Sequence, residues 1–118
     1  MRRRRRFALT IRDGPRVQRH RFESLQPALD VLETEMRSLA QTGHRSTVDL
    51  RYRRFEPVQQ VMARAELRGP DGLRAGLDLR GDGSAEAYTG RLTRDLVAER
   101  DGEDAFQALR RTLTEGAS

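Results

Sequence analysis

The residues best equipped for chemistry in this chain are its arginines. All 23 basic residues are Arg, none is Lys, and five of them run consecutively from Arg2 to Arg6. A guanidinium group is always charged and presents a planar fork of donors that matches phosphate and carboxylate oxygens. Further basic positions lie in Arg51-Tyr52-Arg53-Arg54-Phe55 and in the spaced set Arg64, Arg68, Arg74 and Arg80, with Tyr88 following. Arginines beside an exposed aromatic on an open sheet can hold single-stranded nucleic acid by phosphate contact and base stacking. The candidate contacts for nucleic acid or a partner are therefore Arg2, Arg3, Arg4, Arg5, Arg6, Arg51, Arg53, Arg64, Arg68, Arg74, Arg80 and Tyr88.

A solvated, ion-paired face is the competing reading. Glu66, Asp78 and Glu86 fall among these arginines and repel phosphate, while Tyr52 and Phe55 also suit a core. Arginine without any lysine or asparagine is also what biased nucleotide composition produces, so the Arg count alone carries little weight. The net charge of +5 and pI near 11.0 suggest an anionic partner. However, Arg2 to Arg6 account for five of the 23 basic residues, and the other 18 balance 18 acids. A gradient persists in the body, with 16 Arg against 8 acids in residues 1–70 and 7 against 10 in residues 71–118. A basic surface opposite an acidic one suits head-to-tail self-association as well as a polyanion.

Other chemistries find little support. His20 and His44 share no spacing with a serine and a carboxylate that would suggest a triad, nor do they form a metal-ligand pair. With no cysteine there is no thiolate nucleophile, disulfide or Cys-based metal site, and a reducing compartment is expected. Asp78 with Asp82-Gly83 lacks the alternating acids and closing glutamate of a calcium loop. Gly81-Asp82-Gly83-Ser84 has no following lysine to make a phosphate loop, and Arg80-Gly81-Asp82, an adhesion tripeptide in letters, reads as a hairpin turn. No catalytic, cofactor-binding or metal-ligating residue is assigned.

The elements that must position the arginines follow from periodicity. The chain has 118 residues, with 36 % hydrophobic and 35 % charged, which suits one domain with a thin core. Phe7, Leu9 and Ile11 alternate as a strand, Asp13-Gly14-Pro15 turns it, and Arg16 to Phe22 returns as a polar edge. After Ser24, Leu25, Ala28, Leu29, Leu32, Met36 and Leu39 recur at helical spacing, and Gly43 is placed to end that helix. Val48, Leu50 and Tyr52 predict a strand, interrupted by Phe55-Glu56-Pro57.

Residues 58–68 admit helix or strand, and the turn that follows favours strand. A three-residue loop Gly69-Pro70-Asp71 pairs Leu67 with Leu73, Ala65 with Ala75, Ala63 with Leu77 and Val61 with Leu79. Gly81-Asp82-Gly83 leads to a strand over 85–92. A three-residue loop there puts Tyr88 outside, across from Gly76, and a two-residue loop puts it in the core. Residues 93–101 read as irregular or a partial strand. A last helix follows Asp101-Gly102, with Glu103 and Asp104 at its positive end and Arg110 and Arg111 near its negative end.

The expected fold is α+β, a mainly antiparallel sheet of five or six strands with two helices on one face, in the order β-β-α-β-β-β-β-α. Residues 1–5 are expected to form a disordered arm, 6–115 a single domain and 116–118 a flexible tail. The apolar run Phe7 to Ile11 is too short for a signal peptide and no stretch approaches a membrane span, so a cytoplasmic location is expected. The function expected is that of a small non-enzymatic binding module. It would act through the open sheet face or an edge strand on a protein partner or a second copy. The alternative is a nucleic-acid-binding accessory protein using the Arg2–Arg6 arm and the sheet, and a pocket or enzyme between helix and sheet comes third.

Overall fold

The computed structural model describes residues 6–50, 61–90 and 93–116, with the backbone alone for 43–50 and 116. Six strands form one antiparallel sheet: β1 (Phe7–Asp13), β2 (Arg16–Phe22), β3 (Val61–Arg68), β4 (Arg74–Arg80), β5 (Ala85–Thr89) and β6 (Asp95–Leu96). Their spatial order is β2-β1-β3-β4-β5-β6. Helix α1 (Leu25–Leu50) connects β2 to β3, and α2 (Ala105–Gly116) follows β6. The α+β order β-β-α-β-β-β-β-α is as expected from the sequence.

The inner face is built by strand parity. Leu9 and Ile11 on β1, Ala63, Ala65 and Leu67 on β3, Ala75, Leu77 and Leu79 on β4 and Ala87 on β5 are all buried. They meet Leu29, Leu32 and Met36 of α1 and Phe106, Leu109 and Leu113 of α2 in one cluster. The alanines let the helices sit close to the strands, which is how a core with few large side chains reaches full packing. The two helices run antiparallel and are joined at their surfaces. Arg110 donates to Asp30 at 2.8 Å and Arg37 to Asp104 at 2.8 Å, and the Arg37 guanidinium lies 4.3 Å from the Phe106 ring centroid.

Several sequence expectations are corrected. Gly43 does not end α1, which continues to Leu50. Mid-helix glycine costs only about 1 kcal/mol, and the hydrogen-bonded turns on either side carry the helix past it. Val48 to Leu50, expected to open a strand, are consequently helical, while Arg51 to Arg53 lie outside the described residues. The strand count is kept by β6, drawn from the segment read as irregular or partly extended. Gly116 is helical rather than part of a tail, and β5 stops at Thr89 because Gly90 takes φ 120°.

A further correction is one of register. Residues 61–68 are a strand as predicted, but the β3–β4 loop has five residues, Gly69 to Leu73, with Asp71 at φ 59° and Gly72 at φ 76°. Leu67 therefore faces Ala75, Ala65 faces Leu77 and Ala63 faces Leu79. A slip of two residues preserves which face each side chain occupies. It also sets a leucine against an alanine at each of these inner pairs, where the expected register set Leu67 on Leu73 and Ala65 on Ala75. The β4–β5 turn follows the three-residue alternative, with Leu79 across from Ala85 and Gly76 across from Tyr88. Asp82 Oδ1 closes that turn by accepting from the Ser84 N–H at 2.9 Å.

Helix α2 starts in a reciprocal cap. The Gln107 N–H donates to Asp104 Oδ1 at 2.9 Å and the Asp104 N–H donates to Gln107 Oε1 at 2.8 Å. Just before it, Glu103 accepts from Arg111 Nε at 2.8 Å and from the Arg100 N–H at 2.9 Å. The Arg111 guanidinium, followed by that backbone N–H, holds the Glu103 carboxyl at about 2, below its ordinary 4.5. Because the folded value is the lower one, the stabilisation is complete above about pH 4.5 and is lost as pH falls through about 2. Carboxyl-detected NMR titration should place the Glu103 midpoint near 2; Arg111→Gln should move it back toward 4.5, and an unmoved midpoint would refute the pairing.

Candidate anion-binding face

With helices covering one face, the other face is left open, and the strand registers arrange it in transverse rows. Arg21, Ala8, Arg68 and Arg74 form the first row across β2, β1, β3 and β4. Arg19, Thr10, Glu66, Gly76, Tyr88 and Leu96 form the second, across all six strands. Val17, Arg12, Arg64, Asp78 and Glu86 form the third.

The third row is electrically satisfied. Asp78, 6 % exposed, is the one buried charged side chain among the described residues. It accepts from Arg64 Nε at 2.7 Å, from Arg64 Nη2 at 3.3 Å and from Arg94 Nη1 at 3.0 Å. The bond to Asp78 raises the Arg64 guanidinium above its ordinary value, against the lowering effect of burial. Arg80 donates to Glu86 at 3.0 Å, and Arg12 lies 3.5 Å from Glu66. A buried carboxylate needs such partners, since removing an ion from water without them costs several kcal/mol.

The first row has no such partners. Among the described residues, Arg21, Arg68 and Arg74 make no ion pair, and neither does Arg19 in the row beside them. Arg68 and Arg74 are directly opposed on β3 and β4. Like charges in that position, with Cβ atoms about 5 Å apart, destabilise a sheet.

Tyr88 lies in the second row, on the outer face, yet it is 6 % exposed. Its phenol ring crosses Gly76, where an added Cβ would collide with the Tyr88 hydroxyl and the Ala65 carbonyl. The Arg94 guanidinium covers the ring at 4.0 Å from its centroid. Desolvation raises the Tyr88 hydroxyl above its ordinary 10.0, so it remains a neutral donor. The ring has no open face for a base and serves as a floor. Two shallow depressions flank Arg68. One, about 180 Å³, is lined by Glu66, Arg68, Arg74, Tyr88, Gly90 and Arg94 among others. The second, about 340 Å³, runs over Ala8 and Thr10 between Arg12, Arg19, Arg21 and Arg68.

Of the positions singled out in the sequence, Arg68 and Arg74 are brought together with no carboxylate partner, Arg64 and Arg80 are ion-paired, and Arg6 is exposed just before β1. Arg2 to Arg5, Arg51 and Arg53 lie outside the described residues. Sequence reasoning missed Arg19, Arg21 and Arg94. The first two share parity with Val17 on β2 and could have been found by continuing the β1 register across the Gly14 turn; Arg94 sits in a segment with no periodicity. His20 lies 3.2 Å from Gln18 and stacks on Phe22. The described residues contain no group of three His, Asp or Glu able to hold a metal ion. No helix among them is long and apolar enough to cross a membrane.

Comparison with protein-family models, curated proteins and solved structures returned no match. Gly76→Ala should lower the unfolding free energy by about 1–3 kcal/mol, measured by urea titration. Combining it with Tyr88→Ala should cost less than the sum of the two single changes, and strict additivity would show that the ring does not depend on this glycine.

Proposed function

We propose that the chain is a non-enzymatic binding module that takes a nucleic-acid strand across the outer face of its sheet, through contacts to the phosphate backbone. The observation that carries this reading is the row Arg21, Arg68 and Arg74, which with Arg19 beside it makes no ion pair among the described residues, on a face where Arg12, Arg64, Arg80 and Arg94 are each matched to a carboxylate. An anion seated there relieves the opposition of Arg68 and Arg74, and arginine forks suit phosphate oxygens. The run Arg2 to Arg6 joins β1 one residue before Phe7, at the end of the sheet where Ala8 stands in this row. The closed Tyr88 ring removes the stacking component, so binding is sequence-independent and electrostatic.

A second copy is a poorer fit. Edge strand β2 carries Arg16, Arg19 and Arg21 and no acid. Antiparallel self-pairing centred on Arg19 would set that residue against its own copy, which like-charge repulsion opposes. At the other edge, β6 has two residues, too few to template a strand.

Fluorescence anisotropy with a labelled mixed-sequence 20-mer of single-stranded DNA tests the proposal. About three phosphate contacts give a slope of about −2 in log affinity against log salt, or roughly a 20-fold loss from 50 to 200 mM. The triple change Arg21→Gln, Arg68→Gln, Arg74→Gln should weaken binding about tenfold or more with no loss of melting temperature, since it removes the opposition of Arg68 and Arg74. Absent binding at 50 mM salt, or equal binding by the triple variant, overturns the proposal. So does a clear preference for polyglutamate over DNA, which would make the partner an acidic protein.

A further inference from the structure

Resting on the polyanion reading, we infer that the smaller depression between β3, β4 and β5 is a subsite for a phosphoryl group bearing three free oxygens, a terminal phosphomonoester or inorganic phosphate. Its walls supply donors of the right kind. Arg68 and Arg74 stand side by side with no carboxylate partner among the described residues. The Tyr88 hydroxyl makes no hydrogen bond to any described residue, and it lies over Gly76, whose missing side chain leaves room for it. Arg94 is fixed by Asp78 through Nη1 and by the Tyr88 ring beneath it, which holds its positive charge at the rim. Glu66, the one carboxylate in the lining, is engaged from the other side by Arg12 at 3.5 Å.

Size and donor count narrow the ligand. At about 180 Å³ the depression is smaller than the roughly 300 Å³ at which pockets for whole small molecules begin. It is several times the volume of one water, about 30 Å³. It therefore suits a group and not a nucleoside. Two guanidinium forks and one phenol hydroxyl address three oxygens, which a phosphomonoester has and an internal phosphodiester, with two non-bridging oxygens, does not. The larger depression shares Arg68 and leads over Ala8 toward Arg21. A strand whose end is held at Tyr88 thus has a path across the sheet toward the β2 edge.

The test compares single-stranded 8-mers with and without a 5′-phosphate, and inorganic phosphate alone, using anisotropy and the NMR signals of the Tyr88 ring. The 5′-phosphorylated strand is expected to bind about five- to tenfold tighter than its unphosphorylated twin, and inorganic phosphate to shift the Tyr88 resonances and abolish that advantage. Tyr88→Phe keeps the ring on Gly76 and beneath Arg94 while removing the hydroxyl. It should erase most of the advantage and leave the affinity for the unphosphorylated strand unchanged. A shift with inorganic phosphate but no advantage for the 5′-phosphorylated strand supports the subsite and assigns it to the free ion. An advantage that survives Tyr88→Phe is bulk charge alone and overturns the inference, as does the absence of both the advantage and the shift. If strands bind equally with and without the phosphate and inorganic phosphate leaves the Tyr88 resonances unmoved, the subsite fails while the sheet-face reading stands; if no strand binds, that reading fails first.

Discussion

Covering one side of a sheet with two helices obliges every second residue of each strand to face the other way. In a chain that is 35 % charged, that other way is where the charges go. The register between strands then decides which charges become neighbours. The β3–β4 pairing is the pivotal case: it sets Arg64 against Asp78, Glu66 against Gly76 and Arg68 against Arg74. The first pair is an ion pair, the second opens space for Tyr88, and the third opposes two cations. Shifting β4 by one residue against β3 would move Leu77 and Leu79 into water. The leucines thus hold in place an arrangement of arginines that electrostatics alone would not choose.

The outer face has two electrical regimes within one sheet. Around Asp78, desolvation is offset by three hydrogen bonds from two guanidinium groups, and the same groups brace Tyr88 through Arg94. Toward the Ala8 row the small side chains of Ala8, Thr10 and Gly76 leave the surface low, and the arginines around it stay unmatched. A patch of this kind is destabilising when empty and is relieved by an incoming anion, which links the energetics of the fold to the binding it is proposed to perform.

Much of this was legible in the residue pattern, and the failures have identifiable causes. Period-two alternation found β1, β3 and β4 because Leu9, Ile11, Ala63, Ala65, Leu67, Ala75, Leu77 and Leu79 occupy alternate positions, and the Gly81-Asp82-Gly83 turn allowed the register that places Tyr88 outside. Exposure was not legible: Tyr88 is buried by Arg94, a residue in a stretch with no pattern, and by a missing side chain at Gly76. Parity survived the wrong loop length after Gly69 because the error was two residues. Gly43 misled because the cost of a helical glycine is small beside the hydrogen bonding of a 26-residue helix. The full row escaped notice because Arg21 is far from Arg68 and Arg74 in sequence and joins them only through the pairing of β1 with β3.

The β2 edge bears on how the protein behaves in a crowded or concentrated solution. One side of that strand is open to another backbone, and what guards it is the mutual repulsion of Arg16, Arg19 and Arg21. Repulsion between exposed charges has a range of about 8 Å at physiological ionic strength and shrinks as salt is added. The protein's colloidal stability is therefore governed by electrolyte as much as by its core, and the additive most commonly used to suppress stickiness would weaken the barrier that keeps neighbouring sheets from zipping together.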